Sequence, residues 1–239
     1  MSDAAPTRHI VAAGGWSFGA APDDPALNQY ILDLAGVARP RVCFVPTASG
    51  DAQDHIIRFY SSFTRLSCVP THLTLFNPGP PTADLRSLIL DQQVIVVGGG
   101  NTKNLLALWR EWGLDAIFRE AWERGIVLSG VSAGAICWFE DGITDSIPGP
   151  LTPLKCLGYL KGANCPHYDR EAERRPTFHR LLLEGRIAPG YAAEDGVALH
   201  FVGERLERAV SARPEARAFW VEQSGEAVTE TPLELTRIP

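Results

Sequence analysis

The sequence predicts an α/β protein: a doubly wound, mostly parallel sheet flanked by helices and extended by antiparallel hairpins towards the C-terminus. Three observations predict it. Short apolar, β-rich runs alternate with helix-period segments through the first 140 residues. Two glycine-rich turns each lie between such a run and a helix. After residue 140 the runs shorten and are separated by turn residues.

The elements follow in order. Ile10 to Ala13 reads as the first strand, and Asp24 and Pro25 then signal a helix start. Leu27, Tyr30, Ile31 and Leu34 recur at i, i+3, i+4 and i+7, one apolar face of a helix. Val42 to Val45 is the second strand, and Ile56, Phe59, Tyr60 and Phe63 repeat the helical spacing. His72 to Phe76 and Val94 to Val97 are further strands, followed by the stripe Leu105, Leu108, Trp109 and Trp112, and then by the strand Ile126 to Leu128. These stripes are core faces. Pro148, Gly149, Pro150 and Pro153 mark a long connection, and a strand-like run from Leu157 ends at Asn164-Cys165-Pro166-His167. Val197 to Phe201, a turn at Gly203 and Leu206 to Val210 form one hairpin; Ala218 to Glu222 with a Ser224-Gly225 turn begins another. With no internal repeat or separating linker, residues 1–239 are expected to form one domain.

Composition narrows the function. The 239 residues are 45% hydrophobic and 21% charged, which excludes a disordered or membrane-spanning chain. Twenty-two lysines and arginines against 28 acids give a net charge of −6, arguing against nucleic acid or an anionic membrane as partner. Cys43, Cys68, Cys137, Cys156 and Cys165 are odd in number and partly embedded in apolar runs, so they read as reduced, mostly buried thiols. Met1 to Arg8 carries no apolar segment behind a basic start, and a cytoplasmic location is expected. A homodimer is left open.

In open parallel sheets ligands bind beyond the carboxyl ends of the strands, so the turns that follow strands are the places to search. Gly98-Gly99-Gly100-Asn101-Thr102 leads from a strand into a helix, with Asn101 or Thr102 able to cap it. Neither the dinucleotide fingerprint nor the P-loop pattern fits the residues that follow. Gly130-Val131-Ser132-Ala133-Gly134 is a Gly-x-Ser-x-Gly between a strand and a helix, the sharp turn that exposes a nucleophilic hydroxyl. A serine nucleophile needs a base and a group to orient it. Of the six histidines, His9 borders a strand, His55 and His179 lie in helical segments, and His200 lies in an alternating strand. His167 stands at a strand end. Glu194 and Asp195, before Gly196, are the acid candidates. The order serine, histidine, acid differs from that of α/β-hydrolases, where histidine is last.

These residues resemble peptidase E, the aspartyl dipeptidase family of serine peptidases, and its relatives the cyanophycinases. The match rests on Val-Val-Gly98-Gly99-Gly100-Asn101-Thr102 with Leu105-Leu106, on Gly130-Val131-Ser132-Ala133-Gly134-Ala135, and on Pro166-His167 followed by an acid-Gly pair. The resemblance implies a fold like class I glutamine amidotransferases, no metal and no organic cofactor. It makes Ser132 the nucleophile and His167 the base. Asp195, where the family has glutamate before glycine, becomes the acid, with Glu194 as the alternative. Ala133 with Gly99 or Gly100 would form the oxyanion hole. A short peptide, and in particular a dipeptide with N-terminal aspartate, is the implied substrate; Asn101 and Arg174 or Arg175 would contact it. Two alternatives remain: a cyanophycinase-like hydrolase of β-aspartyl-arginine links, and a non-catalytic binding protein on the same fold.

Overall fold

The computed structural model describes residues 6–16, 25–76 and 84–238. The helix-start signal at Asp24 lies outside them. In chain order the elements are β1 (His9–Ala13), α1 (Ala26–Asp33), β2 (Arg41–Val45), a 3₁₀ turn (Thr47–Ser49), α2 (Gln53–Phe63), β3 (Val69–His72), α3 (Leu85–Leu90), β4 (Val94–Val97), α4 (Thr102–Trp112) and α5 (Leu114–Glu123). They continue with β5 (Val127–Val131), α6 (Ala133–Ile136), β6 (Phe139–Thr144), β7 (Thr152–Lys155), β8 (Leu160–Cys165), α7 (Arg174–Leu183), β9 (Gly190–Ala193), β10 (Val197–Val202), β11 (Arg205–Ser211), β12 (Ala218–Ser224), β13 (Ala227–Pro232) and β14 (Leu235–Arg237).

Eight strands form the first sheet in the order β14-β11-β10-β1-β5-β4-β2-β3. β1, β5, β4, β2 and β3 are mutually parallel, and β10 joins β1 antiparallel. The central strands read as uninterrupted apolar runs because both of their faces are covered. Ile10, Cys43, Ile95 and Val97 pack with Leu105, Trp109, Phe118 and Trp122 of α4 and α5 on one face. Their neighbours Val11, Val42, Phe44, Val94 and Val96 pack with Leu27 and Ile31 of α1 and Phe59 and Phe63 of α2 on the other. The three helical stripes are therefore core faces, except that Trp112 at the end of α4 is 45% exposed.

The hairpins form, but they divide between two sheets. β10 and β11 extend the first sheet, whereas β12 and β13 belong to a second, six-stranded sheet ordered β13-β12-β9-β8-β6-β7. Within it β6, β8 and β9 are parallel. Phe139, Leu160, Ala193 and Ala218 share the core of the first sheet. Ile143, Cys165 and Ala192 pack with Phe178, Leu181 and Leu182 of α7 in a separate cluster.

One strand is displaced from its expected place. β3 covers Val69–His72 rather than His72 to Phe76. As an edge strand it tolerates Pro70, and its ladder on β2 ends at Phe44↔His72. Beyond that point the N–H groups of Leu75 and Phe76 donate to the buried Asp51 carboxylate at 2.5 and 2.6 Å, so a side chain takes over from a strand partner. Among the described residues no helix is long and apolar enough to cross a membrane.

Candidate active site

The carboxyl ends of β1, β5, β4 and β2 point the same way, and the turns leaving them meet around one cavity of about 240 Å³. Trp16, His55, Arg58, Gly99, Val131, Ser132 and His167 line it. Ser132 follows β5 with φ +54° and ψ −114°, a conformation that L residues adopt only under strain. The flanking glycines make that turn feasible. A Cβ on Gly130 would collide with the Gly134 carbonyl, and one on Gly134 with the Val97 carbonyl. Removing the side chains lets the backbone fold back on itself and leaves the serine at the crest. Cys137, one turn further on, is fully buried, with its thiol against the Gly134 carbonyl at 3.3 Å. Burial holds that thiol well above its ordinary range, which denies it the thiolate a nucleophile requires.

His167 comes from the second sheet, two residues past β8, at φ +55°. Its N–H donates to the Gly14 carbonyl at 3.1 Å, and the next residue, Tyr168, donates to the Ala193 carbonyl at 3.2 Å. The turn is thus held between the end of β1 and the end of β9. Nδ1 lies 2.7 Å from Asp195 Oδ1. With the carboxylate as acceptor Nδ1 carries the proton, so Nε2 presents its lone pair. No hydrogen bond joins His167 to Ser132 among the described residues, although both face the cavity. Such contacts commonly tighten only with substrate bound.

Asp195 is fixed by its backbone. Its N–H donates to Asp169 Oδ1 at 2.8 Å, and its carbonyl accepts from Arg213 Nη1 at 2.5 Å. Burial pushes its carboxyl up, but the hydrogen bond and charge of His167, with Arg170 and Arg213 nearby, outweigh burial and hold it below the ordinary carboxylate range. Glu194 turns elsewhere, accepting the Arg217 N–H at 2.8 Å. The structure therefore joins Asp195, and not Glu194, to His167.

The remaining residues singled out in the sequence divide. Gly99 approaches Ser132 so closely that a Cβ there would lie 3.3 Å from the serine Cβ. Ala133 opens α6 directly after Ser132. Asn101 Oδ1 caps α4 by accepting the Asn104 N–H at 2.8 Å, while Nδ2 donates to the Ser146 carbonyl at 3.1 Å. Asn101 thus anchors the triple-glycine turn rather than facing the cavity. Arg174 is 2% exposed and pairs with Glu171 at 2.7 Å, while also donating to the Ile143 carbonyl. Arg175 lies over the Tyr168 and Phe219 rings and pairs with Glu230 at 3.3 Å. Neither arginine lines the cavity.

Sequence reasoning overlooked Gly14-Gly15, Trp16 and Arg58, and set His55 aside as a residue of a helical segment. A Cβ on Gly15 would fall inside the Asp195 carboxylate, so this glycine lets the acid approach His167. Its position directly after β1 was the available signal. His55 and Arg58 carry no local mark, since i and i+3 charges on a helix usually face solvent.

A strand-to-helix serine, an Nδ1-anchored histidine and a partly buried carboxylate are the groups that a serine hydrolase site requires. The profile of Peptidase family S51 matches residues 10–209. The chain belongs to peptidase family S51, and it is a serine peptidase. It is 54% identical over 226 residues to the uncharacterized peptidase YgaJ of Bacillus subtilis (strain 168), covering 95% of this chain and 97% of that one. It is 34% identical over 133 residues to peptidase E of Shewanella amazonensis (strain ATCC BAA-1098 / SB2B), covering 52% of this chain and 57% of that one. In fold it resembles a peptidase from an acI-B1 actinobacterium, with TM-score 0.66, 17% identity, and 94% and 95% of the two chains covered. It also resembles a putative peptidase E protein from Listeria monocytogenes EGD-e, with TM-score 0.62, 18% identity, and 84% and 96% covered.

Proposed function

We propose that the protein is a cytoplasmic serine exopeptidase that hydrolyses short peptides, dipeptides with N-terminal aspartate among them, through Ser132, His167 and Asp195. One observation carries this reading: the strained Ser132 and the Asp195-anchored His167 face the same cavity. His167 Nε2 takes the Ser132 proton as Oγ attacks the scissile carbonyl. The developing oxyanion meets the N–H groups of Ala133 and of Gly99 or Gly100; in such sites each donor contributes about 3 kcal/mol to the transition state. The imidazolium then protonates the leaving amine, the acyl-enzyme forms, and His167 activates water to release the acid. Asp195 holds the imidazole tautomer and stabilises its charge.

The cavity supports a small substrate. About 240 Å³ is below the usual range for drug-sized ligands, which suits a dipeptide better than a polymer laid along an open groove. Five free cysteines, four of them buried, accord with a reducing compartment.

The test is covalent labelling by a fluorophosphonate together with turnover of a dipeptide panel. We expect one labelled site, lost in Ser132→Ala and strongly reduced in His167→Ala, and faster cleavage of Asp-Leu than of Ala-Leu or Met-Leu. Folded protein that takes no label would overturn the catalytic reading. Equal rates across the panel would overturn aspartate preference alone.

A further inference from the structure

We infer that Arg58, on α2, is the specificity residue of the catalytic cavity and binds a carboxylate of the peptide substrate. The inference rests on the peptidase reading above and names the group that this site recognises.

A peptidase selective for short acidic peptides needs a cation within reach of its nucleophile. Arg174 is buried against Glu171 and the Ile143 carbonyl, and Arg175 is engaged by Glu230 and two aromatic rings. Arg170 lies 3.9 Å from the Asp195 carboxylate and is not on the cavity wall. Arg58 is on that wall, with Ser132 and His167.

The helix explains its direction. Phe59 and Phe63 of α2 are buried against the first sheet. His55 and Arg58, three apart, share an adjacent edge, and that edge borders the cavity. Among the described residues no carboxylate lines the cavity. The Arg58 partner is Asp54, at 3.1 Å, with both side chains more than half exposed. An exposed i,i+4 pair is weak, so a substrate carboxylate in the cavity displaces it readily. The guanidinium fork then offers two parallel N–H donors, a geometry that lysine does not reproduce.

Two carboxylates on a dipeptide have this chemistry: an acidic first side chain and the free C-terminus. Calorimetry in the Ser132→Ala background separates them, because binding is read without turnover. The peptides are Asp-Leu, Asn-Leu, Asp-Leu amide and Asn-Leu amide, each with and without Arg58→Ala. We expect Arg58→Ala to weaken Asp-Leu binding about ten- to a hundredfold, the usual effect of losing one charge-assisted pair. The peptide lacking the recognised carboxylate will not respond to the substitution. Insensitivity of Asn-Leu identifies the side chain, and insensitivity of Asp-Leu amide the C-terminus. Arg58→Lys should restore part of the affinity for the same peptides only. Equal losses for all four peptides, no loss for Asp-Leu, or no binding of any peptide would overturn the inference. Fluorophosphonate labelling of the wild type, and its loss in Ser132→Ala, tests the catalytic reading on its own, so failure here is distinct from failure of that reading.

Discussion

Glu194 and Asp195 carry the same charge on adjacent residues, yet only one reaches the imidazole. The chain turns here, the Val197 N–H donating to the Glu194 carbonyl at 3.1 Å, and the two side chains leave the turn towards different partners. Glu194 satisfies the Arg217 N–H and Asp195 satisfies His167. Asp195→Asn should therefore lower kcat on the order of a thousandfold or more, because an amide at that place no longer holds the imidazole in the tautomer that leaves Nε2 basic. Glu194→Gln should change kcat by less than about threefold, since an amide oxygen still accepts the Arg217 N–H. Steady-state kinetics on one dipeptide decides between them, and comparable losses would remove Asp195 from its role. At this scale the sequence was informative wherever chemistry demands a residue type at a turn: Ser132 between two glycines, His167 after a strand, an acid before Gly196. It was silent where a residue matters through what it omits or through distant packing. Gly15 matters because it lacks a Cβ, and Arg58 matters because α2 brings it to the cavity.

At the scale of elements, the central parallel strands β2 and β4 were legible because both faces are buried and they read as apolar runs, whereas β3, at the sheet edge, was misplaced. The second sheet was legible only in part: the run from Leu157 and the Ala218 hairpin read as strands, but β6, which carries Glu140 and Asp141 among its apolar residues, does not show the pattern of a buried strand. Yet this sheet supplies both His167 and Asp195 to a serine held by the first. The hairpin of β12 and β13 reaches back to that junction: Glu230 on β13 accepts from the Tyr168 hydroxyl at 2.5 Å and lies 2.7 Å from His179 Nε2 and 3.3 Å from Arg175 Nε. Burial, and then Glu230 itself, push the Tyr168 hydroxyl upward, so it stays a neutral donor. Glu230→Ala strips these groups of their acceptor and should cost about 1–3 kcal/mol in urea unfolding. Fluorophosphonate labelling of the folded variant should persist, because His167 keeps its own bonds to Gly14 and Asp195. Unchanged stability would show that the hairpin does not brace the histidine turn.

At the scale of the whole molecule, the two sheets are joined at the site by an ionised group. The Gly15↔Asp195 bridge and the bonds from His167 to Gly14 and from Gly196 to Gly15 connect the end of β1 with the turn between β9 and β10. The Asp195 carboxylate sits in the middle of that seam. Its folded-state affinity for protons is lowered relative to the ordinary value of 3.8. A depressed carboxyl favours the folded state while it is ionised, since the unfolded chain binds the proton more readily. The stabilisation is therefore complete at neutral pH and down towards the ordinary value, and is lost as the pH falls through the lower folded value. Asp195→Asn carries no such charge at any pH. The stability gap between wild type and Asp195→Asn should be widest near pH 7 and should narrow at and below about pH 3.5, as measured by urea unfolding at both. A gap of the same size at both would mean that steric fit against Gly15, and not the charge on Asp195, holds the two sheets together at the site.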